Sequence, residues 1–116
     1  MIRNKGGFEY EYYDDLLRIE VTGEIDHHSA VSVRGEIDAL IYEERPRHVA
    51  LDMSGIDFMD SSGLGLIMGR YALMQKIGGE LTLSSPNERI LKILRLAGLE
   101  RIIKIEDGEK NEKSDS

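Results

Sequence analysis

A chain of 116 residues with a formal charge of −7 and no cysteine has the usual length of one domain, and it cannot build a disulfide framework, a thiol nucleophile or a zinc–thiolate centre. The acidic balance argues against a nucleic-acid partner, because affinity for a phosphate backbone comes mainly from Lys and Arg. No apolar run approaches the roughly 18 residues that span a bilayer, and the opening MIRNKGGFEYEYYDD lacks the apolar core and cleavage site of a secretory signal, so a cytoplasmic protein with no membrane partner is expected.

In chain order, FEYEYY (8–13) alternates, Asp14-Asp15 signals a turn, and LRIEVT (17–22) alternates again with Leu17, Ile19 and Val21 on one face. This pattern predicts an N-terminal hairpin. Asp26, closing the tetrapeptide GEID, is placed to cap a helix in which Ala30, Val33, Ile37, Leu40 and Ile41 recur at helical spacing, and Pro46 closes the connection after it. HVALDM (48–53) reads as a central strand covered on at least one face. Leu64, Ile67, Met68, Tyr71 and Met74 predict a second helix that begins at DSSG and ends at Gly78-Gly79. ELTLS (80–84) is a further strand, Pro86-Asn87 opens a third helix carrying Ile90, Leu91, Leu94 and Ala97, Gly98-Leu99 closes it, and RIIKI (101–105) is the last strand. The residues after Ile105, EDGEKNEKSDS, hold nothing apolar and predict a frayed tail over 107–116 beyond a folded domain of residues 1–106. The order β-β-α-β-α-β-α-β implies a single α/β domain, a mixed sheet of four to five strands with about three helices packed on one side.

The stretch DSSGLG (60–65) sits where the central strand gives way to the second helix. Its two hydroxyls fall among the unpaired amides of a helix N-terminus, where the positive end of the dipole tolerates added negative charge. A phosphate there, carrying about −1.5 to −2 charges, would leave the fold standing and change what the surface offers, with Asp60 concentrating the negative charge. A simpler role, capping the helix, is open to Asp60 or Ser61. Capping does not account for Gly63 and Gly65, since glycine in a first turn costs up to about 1 kcal/mol relative to alanine; they suggest close approach by a backbone or a partner.

Three other chemistries find less support. In GEIDHHS (23–29) Glu24, Asp26, His27 and His28 resemble metal donors, but consecutive histidines diverge on a helix and no partner stands at i+4, so no metal site is expected. A serine hydrolase using Ser61 or Ser62 with His27, His28 or His48 as base lacks the G-x-S-x-G elbow. There is no G-x-x-x-x-G-K-[ST] phosphate loop.

HVALDMSGIDFMDSSGLGLIMGRYALMQKIGGELTL, with VTGEIDHHSA before it and SPNERILKILRLAGLERII after it, resembles the STAS domain of bacterial anti-sigma-factor antagonists, most of all the sporulation type. The resemblance covers about residues 8–106. It implies a protein with no catalytic residues and no cofactor of its own, monomeric when free, which binds an anti-sigma factor that is also a serine kinase and so releases a sigma factor. It further implies that the kinase, holding ATP or ADP, phosphorylates the serine before glycine in D-S-[ST]-G, which is Ser62 here, and that a PP2C-type phosphatase restores the protein. By the same matching Asp60 and Ser61 flank Ser62 and Asp26 takes part in recognition; with Gly63 and Gly65 letting the partner come close and Leu64 adding apolar contact, the expected partner-binding residues are Asp26, Asp60, Ser61, Ser62, Gly63, Leu64 and Gly65. A STAS module serving a stress-response sigma pathway or another signalling assembly is the alternative within the family.

Overall fold

The computed structural model describes residues 2–5 and 7–106. Six strands and three α-helices follow in order: β1 (Arg3–Lys5), β2 (Phe8–Tyr13), β3 (Leu16–Ile25), α1 (His27–Glu44), β4 (His48–Met59), α2 (Ser61–Lys76), β5 (Glu80–Ser84), α3 (Glu88–Leu96), a 3-10 turn over Leu99–Arg101, and β6 (Lys104–Glu106). They form one sheet in the order β1-β2-β3-β4-β5-β6. The first three strands are antiparallel neighbours, and β3 to β6 run parallel. Three crossovers of one hand, stepping in one direction across the sheet, place all three helices on the same side.

The expected α/β architecture is present, and β1 extends it by one short edge strand. RNK has no strand pattern and joins the sheet through backbone pairing with Tyr10, Glu9 and Phe8. The central strand runs to Met59, six residues past HVALDM. Its far end pairs with β3 alone, across register shifts between Glu20 and Thr22 and between Gly23 and Glu24. The last strand begins at Lys104 because Gly98, in the left-handed region, turns the chain into the 3-10 helix, where Ile102 N and Ile103 N both donate to Leu99 O. The tail expected over 107–116 lies outside the described residues.

Burial follows the alternation. Leu17, Ile19 and Val21 of β3, Val49, Leu51 and Met53 of β4, and Leu81 and Leu83 of β5 meet the buried stripe Ala30, Val33, Ile37, Leu40 and Ile41 of α1. On α2 the buried stripe is Gly63, Leu66, Ile67, Arg70 and Met74; Leu64 and Tyr71 are half-buried, and Met68 is exposed. The apolar spacing placed this stripe about one residue further along. On α3, Ile90 and Leu94 are buried, whereas Ala97, which caps its C-terminal end, is exposed.

The helix-free face of the sheet is polar. Arg18 donates to Asp52, whose other oxygen accepts from Ser54 N at 2.9 Å, and His48 Nε2 lies 2.9 Å from Thr82 Oγ1. Among the described residues no helix is long and apolar enough to cross a membrane.

Candidate functional site

The parallel register pairs Ile25 with Met59, so β3 and β4 end side by side, about 5 Å apart at ordinary strand spacing. Each strand passes into a helix through one aspartate. Asp26 precedes α1 and Asp60 precedes α2, both with extended backbone. GEID and DSSG, 34 residues apart in the chain, thereby become adjacent helix entrances, tied by Asp60 N donating to Ile25 O at 3.2 Å.

Asp26 forms a reciprocal cap with Ser29. Its Oδ1 accepts from Ser29 N at 2.9 Å, and Asp26 N donates to Ser29 Oγ at 3.0 Å. The hydrogen bond from the Ser29 amide, which favours the ionised form, holds the Asp26 carboxyl below its ordinary value, with the Ser29 hydroxyl and His28 acting in the same direction. At the second entrance Asp60 Oδ1 accepts from Ser62 N at 2.8 Å. The cap of α2 is therefore Asp60, and Ser61 is the first helical residue.

This arrangement leaves both hydroxyls uncommitted. Ser61 is exposed and Ser62 half-exposed, and among the described residues the Oγ of neither is hydrogen-bonded. A group added to Ser62 would meet the amide end of α2, which accommodates an anion, with the carboxylates of Asp60 and Asp26 close by. The fold tolerates the charge, whereas a partner covering this surface has to desolvate it. No histidine is bonded to either serine among the described residues. His27 and His28 are exposed on the first turn of α1, and His48 starts the 12-residue β4, on the order of 30 Å from the end that carries Ser62.

The two glycines have different origins. A Cβ on Gly63 would lie 2.8 Å from Met59 Cβ and 2.9 Å from its Sδ, so this glycine is required by internal packing rather than by a partner; at Gly65 nothing lies within 4 Å. Gly63→Ala is expected to destabilise by about 1–2 kcal/mol, overpacking against the buried Met59 outweighing the gain in helix propensity. Gly65→Ala should stabilise by about 0.5–1 kcal/mol and, if a partner closes over this turn, lose affinity. Thermal melts with a binding titration check both.

Two exposed apolar residues complete the surface: Phe58 (45% exposed), which the sequence reading did not use, and Met68 (39%), which it placed in the apolar stripe of the second helix. Phe58 pairs with Glu24 at the tip of β4, and Met68 follows Ser61, Leu64 and Gly65 on one helical face. The signal for Met68 was a surplus of apolar residues on α2 beyond what one buried stripe uses.

Known proteins resemble this chain in sequence and in fold. Residues 8–111 match the STAS domain family. The anti-sigma F factor antagonist of Paenibacillus polymyxa is 38% identical over 103 residues, covering 89% of this chain and 88% of the relative. The anti-sigma-B factor antagonist of Bacillus subtilis (strain 168) is 32% identical over 89 residues, covering 77% and 80%. Among solved structures, the anti-sigma factor antagonist SpoIIAA in its unphosphorylated form superposes with a TM-score of 0.71 at 26% identity, covering 93% of this chain and 94% of that one. SpoIIAA of Bacillus in the phosphorylated form gives 0.69 at 25% identity, covering 94% and 99%.

Proposed function

The chain belongs to the STAS domain family, and on that premise we propose that it is an anti-sigma-factor antagonist whose partner binding is switched by phosphorylation of Ser62. The observation that carries this reading is the free hydroxyl of Ser62 on an Asp60-capped turn, beside the second helix entrance at Asp26. In this reading the unmodified protein, a monomer in the cytoplasm, docks an anti-sigma factor over Asp26, Asp60, Ser61, Ser62, Leu64 and Gly65, with Phe58 and Met68 as apolar contacts, and a sigma factor is released. The partner, acting as a serine kinase with ATP, transfers phosphate to Ser62 and ends its own binding. A PP2C-type phosphatase returns the protein to the binding state.

The relative in Paenibacillus polymyxa supports a sporulation pathway. The anti-sigma-B factor antagonist of Bacillus subtilis supports a second reading, control of a stress-response sigma factor by the same switch. Incubation with each type of anti-sigma kinase and ATP, followed by tandem mass spectrometry, separates them. Phosphate is expected on Ser62 with one kinase and absent from Ser62→Ala; phosphate elsewhere, or none with either, would contradict the switch.

A further inference from the structure

Beyond Asp52, β4 leaves the cover of β5, whose last pairing is Ser84 with Asp52. From there to Met59 its strand partner is β3, and the match is irregular. Glu20 and Thr22 face Asp52 and Gly55, and Gly23 and Glu24 face Ile56 and Phe58, so β4 carries an extra residue twice. Each extra residue makes a bulge, where a strand bends and its twist increases. Pairing with β3 therefore sets the direction of the last residues of β4 loosely, although they carry Phe58 and lead into the Asp60 cap.

Two side chains meet these bulges. Asp52 Oδ1 accepts from Ser54 N at 2.9 Å across the first. At the second, the carbonyl of the buried Ile56 accepts from Asn87 Nδ2 at 3.1 Å. Asn87 is also the N-cap of α3, its Oδ1 accepting from Ile90 N at 2.9 Å. The two contacts fix the orientation of the carboxamide, since the reverse would set donor against donor and acceptor against acceptor. A cap needs an acceptor alone, and Asp or Ser would serve α3 as well; the donor end of Asn87 works on β4. The loop that delivers it is stiff. Ser85 stands in the left-handed region at φ 55°, unfavourable for a residue other than glycine, its amide donates to Glu106 O at 2.7 Å, and Pro86 is buried. Where β5 has ended, the Asn87 side chain joins α3 to the strand four residues before Asp60.

We propose that Asn87 is a positioning residue, whose carboxamide holds the second bulge of β4 against α3 and so fixes where Phe58 and the Asp60–Ser62 turn meet a protein partner. This rests on the docking surface proposed above. The residue acts through Ile56.

The test separates the two ends of the carboxamide. Asn87→Asp and Asn87→Ser both keep a capping oxygen and lose the donor. The first sets a carboxylate against Ile56 O; the second leaves that carbonyl to water, which satisfies it without joining it to α3. In both variants hydrogen exchange of the Ile90 amide should stay at the wild-type rate. Exchange of the Asp60 amide, which is bonded to Ile25 O, should be at least about 5-fold faster, and affinity for the anti-sigma factor at least about 5-fold lower. Wild-type exchange at Asp60 in Asn87→Ser would overturn the proposal whatever Asn87→Asp shows, because no repulsion is added there. Faster exchange at Ile90 and Asp60 alike would overturn it too, since loss of the cap would then explain both. Faster exchange at Asp60 alone with unchanged affinity would overturn the link to docking. If wild-type protein bound no anti-sigma factor while exchange behaved as expected, the proposed function would fail and the hold of Asn87 on β4 would stand. Should Asn87→Ser not fold, the same readings in Asn87→Asp decide.

Discussion

Ser62→Asp is expected to fold as the wild type does and to bind the anti-sigma partner two to three orders of magnitude more weakly, whereas Ser62→Ala should bind with near wild-type affinity and resist phosphorylation. The asymmetry comes from where the residue sits. In the free protein a carboxylate at position 62 lies at the amide end of α2 and in water, so its presence costs little. In the complex it is stripped of water beside Asp60 and Asp26, and an unpaired buried charge costs roughly 3–5 kcal/mol, which corresponds to that loss of affinity. Alanine removes a hydroxyl that has no hydrogen-bond partner among the described residues, so no buried group is orphaned. Isothermal titration of both variants, with circular dichroism as the check on folding, measures the difference.

Asp38→Ala is expected to lower stability by about 2–4 kcal/mol and the melting temperature by on the order of 10 °C. The mutation leaves the Arg70 guanidinium, 8% exposed, with no carboxylate partner. The partial exposure of Asp38 keeps the expected loss toward the lower end of the range for broken buried pairs, since water can reach the vacated position. The contrast is Arg47, whose contact with Asp15 at 3.6 Å is exposed on both sides; Arg47→Ala should change stability by less than about 0.5 kcal/mol. Chemical denaturation of the two variants, with unchanged slopes, gives the comparison. Near-equal effects would mean that the Asp38–Arg70 pair is hydrated like a surface one.

The elements most legible in the sequence were those in which one residue type does one job. Asp26 capped α1 and the five apolar residues read on that helix are its buried stripe. The alternation of LRIEVT carried β3, and ELTLS matched β5 residue for residue. Elements held by backbone pairing were not legible. RNK in β1 has no facial pattern, and the end of β4, SGIDFM, alternates poorly because Gly55 packs against Thr22, whose Cγ2 would lie 2.6 Å from a Cβ at that position. RIIKI carries strand-like residues from its start, but hydrogen bonds to Leu99 O hold Ile102 and Ile103 in the preceding turn.

The site was legible as two motifs, and their adjacency was not, because it depends on the parallel register of Ile25 with Met59. The choice between Asp60 and Ser61 as cap also required geometry, since both residue types fill that role and one position separates them. Arg70 went unread for a related reason. A charged residue within a helical apolar stripe is ordinarily assigned to the exposed face, and here the stripe turns about one position from where Leu64, Met68 and Tyr71 pointed, which brings Arg70 inside.

The most direct test is a titration of the anti-sigma factor with unmodified protein and with protein phosphorylated stoichiometrically on Ser62, with the fold of each checked by its backbone amide spectrum. A native spectrum for both and an affinity at least 100-fold lower for the phosphorylated form is the predicted result. Equal affinities for two equally folded forms would contradict a switch at Ser62.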